Sequence, residues 1–451
     1  MLDEKTPLAS PTTDAADKVD LRVQQLHSSL MDPALNSMNF LNEVSGEFPQ
    51  AVSFAAGRPT EERYDLDAVH RYLRTFEDYL RREQGADARQ VRQMLMQYGR
   101  TKGIIHDLLA RNLRLDEGID VDPESIVVTV GCQEAMFLAI RALCADTGDI
   151  VLAPAPRYVG LSGAARILDR TVWPVKENES GIDLADLTAQ LEAARARGKR
   201  PRLLYLNPDF ANPSGTVLDL ATRRALLDLA EKHDFFLLED NPYRLFPADD
   251  GPRVPTLKAL DTRRRVIYLG SFAKTCFPGA RVGFLVADQR VSTADSTVVL
   301  LADEISKLKS MVTINTSPLT QAIVAGALLE HGCSLLRATE ADGAVYRRNM
   351  RLLSDGLLRH FPPGGPFDVR WNNPRGGFFT VVTMPFRTDD ALLEHSARHH
   401  GVLWTPMTHF YGDNGGARQM RLSVAVMTPQ QIETGLDRLR GLVAECAAGT
   451  R

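Results

Sequence analysis

SIVVTVGCQEAMFLAIRAL, residues 125–143, changes its periodicity once. A β-branched apolar run of strand length gives way, through Gly131, to apolar residues at helical spacing. A short apolar strand feeding an amphipathic helix is the unit of an α/β sheet, in which helices cover mostly parallel strands. Outward from it the unit recurs. DIVLA (149–153) precedes YVGLSGAARIL, and RLLYL (202–206) precedes LATRRALLDLAEKHD. FFLLE (235–239), VIYLG (266–270) and VGFLVA (282–287) follow. The expected architecture is therefore α/β with a mostly parallel central sheet. Beyond it, residues 314–332 and 338–361 repeat apolar side chains at three and four, the helical spacing. GGFFTVV (376–382), QMRLSVA (419–425) and TPQQIETGLDRLRGLVAE (428–445) then read as a smaller α+β unit. The chain divides on this reading into an N-terminal arm and lead-in (1–50), a large domain (51–325) and a small C-terminal domain (326–451).

Composition narrows the class. At 451 residues, 44% hydrophobic and 24% charged, the chain has the make-up of a soluble globular protein with a large core. Its net charge of −4 points to neither a nucleic acid nor an anionic membrane as partner. Five dispersed cysteines, without a C-x-x-C pair or a nearby histidine pattern, predict reduced thiols in a cytoplasmic protein and no metal site. No apolar run approaches the ~20 residues of a membrane span. The opening MLDEKTPLASPTTDAADKVD lacks the basic-then-apolar order of a signal peptide and is expected to be a mobile arm.

In open α/β sheets ligands gather beyond the carboxyl ends of the strands. Those positions carry Gly131-Cys132-Gln133, Tyr158 in APAPRYVG, Asn212 in NPDFANPSG, Asp240 and Tyr243 in DNPY, and Ser271, Lys274 and Arg281 in SFAKTCFPGAR. Each has an ordinary reading: a helix start, a core aromatic, a turn amide, a cap, a snorkelling lysine, a surface arginine. Each also has a chemical one. A helix N-terminus offers amides to a phosphate, a desolvated lysine serves as nucleophile or base, and a carboxylate ending an apolar strand calls for a cationic partner. A ligand with a phosphate, an aromatic ring, a basic ring nitrogen, a phenolic oxygen and an aldehyde would engage all of them, and pyridoxal 5′-phosphate is such a ligand.

The chain also resembles the class I/II, fold type I, pyridoxal-phosphate aminotransferases over roughly residues 35–445. SFAKTCFPGARVGF is similar to the family's S-x-x-K-x-x-x-P-G-x-R-x-G, which implies that Lys274 joins the cofactor while Ser271 and Arg281 hold its phosphate. NPDFANPSG resembles N-P-x-G, implying Asn212 near the phenolic oxygen. EDNPYR resembles D-x-x-Y, implying Asp240 on the pyridine nitrogen and Tyr243 on the phenolic oxygen. The resemblance further implies phosphate-binding amides at Cys132 and Gln133, Tyr158 stacked on the ring, and Arg421 of MRLSVA on the substrate carboxylate. Tyr98 of QYGRTKG would reach the phosphate of a neighbouring subunit, which requires a homodimer. Gly57 and Arg58 of SFAAGRP would border the substrate side chain.

Two departures touch the pattern: Ala273 where a second hydroxyl is common, and TPMTHF (405–410), with Met407 where glycine is usual and His409 beside Phe410. MNFLNEV, SFAAGRP, YGRTKGIIHDLLARNL and DVDPESIVVTVG are most similar to aminotransferases that make hydroxyphenylglycine-type amino acids for peptide antibiotics. An aryl-glyoxylate acceptor would give Arg58 or His409 a phenol hydroxyl to contact. Three rival readings stand beside this one. S-x-x-K also serves acylating serine enzymes, although Pro278-Gly279 would stop the helix they need. Regulators that carry an aminotransferase-like domain need a DNA-binding module, for which the stretch ahead of Met38 is too short. Lyase, decarboxylase, racemase or cyclase chemistry shares both fold and cofactor.

Overall fold

The computed structural model describes residues 20–449 except 33, 34, 36, 38, 39, 41, 42, 44, 45, 63, 180, 250, 413 and 414. The expected arm, apart from residue 20, and much of MNFLNEV lie outside the described residues.

Ile126–Thr129 (β1), Asp149–Ala155 (β2), Thr171–Lys176 (β3), Arg200–Leu206 (β4), Phe236–Asp240 (β5), Val266–Ser271 (β6) and Gly283–Val286 (β7) form one seven-stranded sheet. Its order is β1-β7-β6-β5-β4-β2-β3. β7 runs antiparallel to both its neighbours and the other pairings are parallel, so six strands point the same way. The mostly parallel sheet is as expected. β3 is the strand that the apolar pattern missed. TVWPVK is largely exposed and carries Pro174, which only an edge strand tolerates well.

Strand alternation sends neighbouring residues to opposite faces. Ile126 and Val128 meet the core beneath helices Leu66–Arg82 (α1) and Pro318–Glu330 (α4), while Val127 enters the core shared with Gly131–Leu143 (α2) and Leu301–Val312 (α3). With both faces of its central strands covered, the sheet is open at the strand ends and along its exposed edge strand β3.

A second sheet joins Arg370–Trp371 (β8), Phe379–Thr383 (β9), Thr405–Pro406 (β10) and Gln419–Ser423 (β11) in the antiparallel order β8-β9-β11-β10. Helices Glu340–His360 (α5) and Pro429–Ala447 (α6) pack on it through Leu353, Leu357, Leu436 and Leu439. Val52–Ser53 pairs in parallel with Val402–Leu403, and Phe54 is buried in this C-terminal core. Residue 325 lies within α4, which packs on α1. We therefore propose that the large domain ends after α4 and that residues 52–55 belong with the small one. No described helix is long and apolar enough to cross a membrane.

Candidate active site

The ends of β1, β2, β4, β5 and β6 face the second sheet across a cleft of ≈ 510 Å³. Each functional side chain follows a strand whose burial fixes its position. Cys132 and Gln133 stand in the first turn of α2, Tyr158 follows β2, Asn212 follows β4, Asp240 ends β5 and Ser271 ends β6. All of them line the cleft, together with Tyr243, Lys274, Arg281, Arg421, Gly57 and Arg58. Gly131 opens α2 with φ +74°, and a Cβ there would lie 2.6 Å from Arg281 Nη2. Glycine thus clears the space between the amide end of α2 and the guanidinium. Val130 before it provides no side-chain cap, which leaves the N-terminal amides of α2 facing the cleft.

Lys274 lies in the turn after β6 and donates from Nζ to the Gly57 carbonyl at 2.7 Å. Burial, then the nearby Arg421 and Arg281 guanidiniums, bring its pKa down to about 8. Asp240 is buried, and burial pushes its pKa up to about 6 against the pull of two donors. Tyr205 O–H reaches Oδ2 at 2.8 Å and the Cys132 thiol reaches Oδ1 at 3.3 Å. Among the described residues no cationic side chain bonds this carboxylate.

Arg421 is buried on β11, with its guanidinium stacked on Phe379 and Phe410 at 4.3 and 4.8 Å from the ring centres. Nη1 donates to Asn212 Oδ1 at 2.7 Å and Nη2 to the Ala55 carbonyl at 3.0 Å, while Nε has no partner. Burial lowers its pKa to about 10, and no described carboxylate pairs with it. One cleft therefore holds a buried anion without a cation and a buried cation without an anion. Such groups are costly unless a ligand supplies both missing charges.

Other expected positions fall elsewhere. Tyr98 is 79% exposed and outside the cleft. His409 does not face the cleft either. It bonds Ser37 Oγ through Nδ1 at 2.7 Å and Asp390 through Nε2 at 2.8 Å, and stacks on Phe40, so its neighbour Phe410 lines the cleft instead. Met407 is buried with Val159 and Phe410. Arg58 stays at the rim, 3.9 Å from Glu61. SFAK is not helical, because Ser271 ends a strand and Lys274 lies in a turn, so serine and lysine do not share a helix face as an acylating enzyme requires.

Several supporting residues escaped the sequence reading. Tyr205, which bonds Asp240, looked like one more apolar strand residue. Asp209, inside NPDFANPSG, is gripped by Arg223 Nη2 at 2.6 Å and by Arg244 Nη1 at 3.0 Å. Arg244 follows Tyr243 directly, so this buried cluster ties the Asn212 loop to the Tyr243 turn. The signal was the charge itself: an aspartate and an arginine, each adjacent to a motif and each next to apolar strands.

The family model described as Aminotransferase class I and II matches residues 63–439. A (S)-3,5-dihydroxyphenylglycine transaminase from Amycolatopsis orientalis is 52% identical over 423 residues, covering 94% of each chain. Among solved structures, a multiple substrate aminotransferase from Thermococcus profundus superposes with a TM-score of 0.79 at 25% identity, over 95% of this chain and 99% of that one. A kynurenine aminotransferase from Pyrococcus horikoshii, in complex with PMP, gives 0.78 at 25% identity, over 94% and 98%. With the family's motifs gathered in one cleft on the same fold, the chain belongs to the class I and II aminotransferases.

Proposed function

We propose that the cleft holds pyridoxal 5′-phosphate and that the enzyme transfers an amino group between an L-amino acid and an aryl-glyoxylate. The observation that carries this reading is the pair of uncompensated buried charges, Asp240 and Arg421, with Lys274 between the same strand ends. A pyridinium would answer the first and an α-carboxylate the second. The space kept by Gly131 beside Arg281 and the uncapped α2 amides suit a phosphate. A group of this kind supplies an aldehyde for amine exchange and a ring that accepts the electron pair left by Cα–H cleavage.

The protein's own contributions follow from its geometry. Asp240, held by Tyr205 and Cys132, keeps a proton on the ring nitrogen by staying ionised beside it. Lys274, with its pKa brought down to about 8, sheds its proton more readily than a free lysine and moves the proton at the substrate's Cα. Arg421 forks onto the substrate carboxylate, and its aromatic sandwich fixes the plane of that fork. Tyr243 OH and Asn212 Nδ2, 3.5 Å apart, would hold the cofactor's phenolic oxygen, and Tyr158 would pack on its ring.

Ala56, Met136, Val159 and Phe410 give the cleft an apolar lining suited to an aryl group. Arg58 is the polar group at its rim, since His409 is engaged elsewhere. The 52% identical dihydroxyphenylglycine transaminase supports the same substrate class. We also infer a homodimer in which Tyr98 completes the neighbour's phosphate site. Its exposure, and that of Met96 and Met311 at 74% and 85%, supports a covered surface there. A cytoplasmic setting agrees with five free cysteines.

The test is a coupled assay of amino donors against aryl-glyoxylates and simple α-keto acids, with Arg58→Leu beside wild type. Turnover of hydroxylated phenylglyoxylates, weakened in Arg58→Leu, is expected. Turnover of simple keto acids alone rejects the aryl substrate, and CO₂ release or racemisation alone rejects amino transfer.

A further inference from the structure

Away from the cleft, HSARHH (395–400) and the end of α6 bring two imidazoles and a carboxylate together. The helix Asp390–His395 runs into a π turn over Ser396–His400 and stops at Gly401, φ +65°. A π turn bonds i to i+5, so residues five apart come to the same face. His395 and His400 are such a pair. Ser396 locks the turn in place: its Oγ donates to the Val402 carbonyl at 2.7 Å and accepts from Trp404 Nε1 at 3.2 Å.

Both imidazoles aim Nε2 at Glu445 on α6, at 2.8 Å from Oε1 for His395 and 2.6 Å from Oε2 for His400. One ligand atom from each of the three residues lies within 4.8 Å of the other two. Gly441, one turn earlier on α6, makes room for this. A Cβ there would lie 3.3 Å from His400 Nδ1, and a mid-helix glycine costs about 1 kcal/mol relative to alanine. The side chains are 22%, 16% and 29% exposed, so they are held in place yet reachable from solvent.

We propose that His395, His400 and Glu445 form a binding site for a divalent transition-metal ion, zinc above all, with solvent completing a tetrahedral shell. Imidazole and carboxylate are the ligands zinc accepts, at about 2.0–2.2 Å. The ion takes the Nε2 lone pairs of two neutral imidazoles, whose protons move to Nδ1, and one carboxylate oxygen. The two imidazole–carboxylate hydrogen bonds give way to the metal bonds, and the three ligand atoms already lie within 4.8 Å of one another. Bound there, the ion staples α6 to the turn that leads into Val402–Leu403. The expected absence of a metal site rested on the cysteines, their spacing and the lack of a histidine pattern beside them. Two histidines five apart have no meaning on an α-helix, and only the π turn gives them one.

The test uses full-length holoenzyme stripped with chelator and titrated with zinc chloride by calorimetry and thermal melting. Wild type is expected to bind one zinc per chain at micromolar concentration, with a Tm rise of several degrees. Glu445→Gln, which keeps a hydrogen-bond acceptor but loses the anionic ligand, and His400→Ala are expected to lose both effects. His70→Ala, an exposed histidine on α1, is expected to keep them. Zinc binding and stabilisation that persist in Glu445→Gln, or a wild type that binds no zinc at ~100 μM, a concentration well above a micromolar Kd, overturn the proposal. If His400→Ala does not fold, Glu445→Gln decides alone.

Discussion

Lys274 keeps a positive charge where burial and two guanidiniums oppose it. Its pKa near 8, against 10.5 for a free lysine, means that the unfolded chain holds the proton more tightly between those values. The cost to the cofactor-free protein, roughly 3 kcal/mol, is complete below pH 8 and fades as pH rises toward 10.5, so wild-type stability climbs through that window. Lys274→Met is therefore expected to abolish transamination yet stabilise the cofactor-free protein at pH 7, with the gain shrinking by pH 10. Urea unfolding at the two pH values measures this, and a variant weaker than wild type at pH 7 would refute the buried-charge reading. Arg421→Ala removes a charged fork and is expected to raise KM about 100-fold for every amino donor, since a lost charged contact is worth about 3 kcal/mol. An unchanged KM across donors removes the carboxylate role. Asp240→Asn should lower kcat by several powers of ten while the protein still binds pyridoxal phosphate, read from the visible absorbance of the loaded variant. The positions of Lys274 and Asp240 were legible because they sit at or just after strands that burial makes obvious, and that of Arg421 because QMRLSVA itself reads as a strand. His409 was not, since the partners that turn it away, Ser37 and Asp390, lie far from it in sequence.

Among the elements, the loop between β4 and Leu220–His233 is anchored through Asp209. Arg223 and Arg244 both bond Asp209, and Arg244 also bonds Glu117 through Nε. Arg244→Ala leaves Glu117 and Asp209 short of a buried partner and is expected to cost about 3 kcal/mol of stability. It should also lower kcat/KM, because Asn212 and Tyr243 lose their common anchor. Chemical denaturation beside steady-state kinetics checks both effects, and a variant of wild-type stability shows that the cluster contributes nothing. The strands themselves followed from composition: β1, β4, β5, β6 and β7 are short runs buried on both faces. TVWPVK gave no such signal, because an edge strand is exposed and its pairing with β2 supplies what its side chains lack. The pairing of Val52–Ser53 with Val402–Leu403 was equally silent, since two residues form too short a run to stand out.

For the whole molecule, the inferred dimer predicts complementation. Lys274→Ala and Tyr98→Ala homodimers should each be impaired, and mixing them under subunit exchange should restore one intact site per heterodimer. Sedimentation equilibrium gives the assembly state, and activity that never rises on mixing removes the shared site. The joining of Val52–Ser53 to the C-terminal core bears on how the chain is made. Thr405 Oγ1 donates to the Ala55 carbonyl at 3.5 Å across 350 residues, and Ser423 N donates to the Phe54 carbonyl at 2.8 Å. The large sheet can assemble on the ribosome as β1 to β7 emerge, but the segment from Val52 to Arg58 has no strand to lie on until the last fifth of the chain is complete. Arg421 arrives in the same late instalment. A nascent chain halted before residue 400 therefore presents Lys274 and Asp240 without Val402–Leu403 or Arg421, and the cleft gains its second wall only once residues 402–423 have been made.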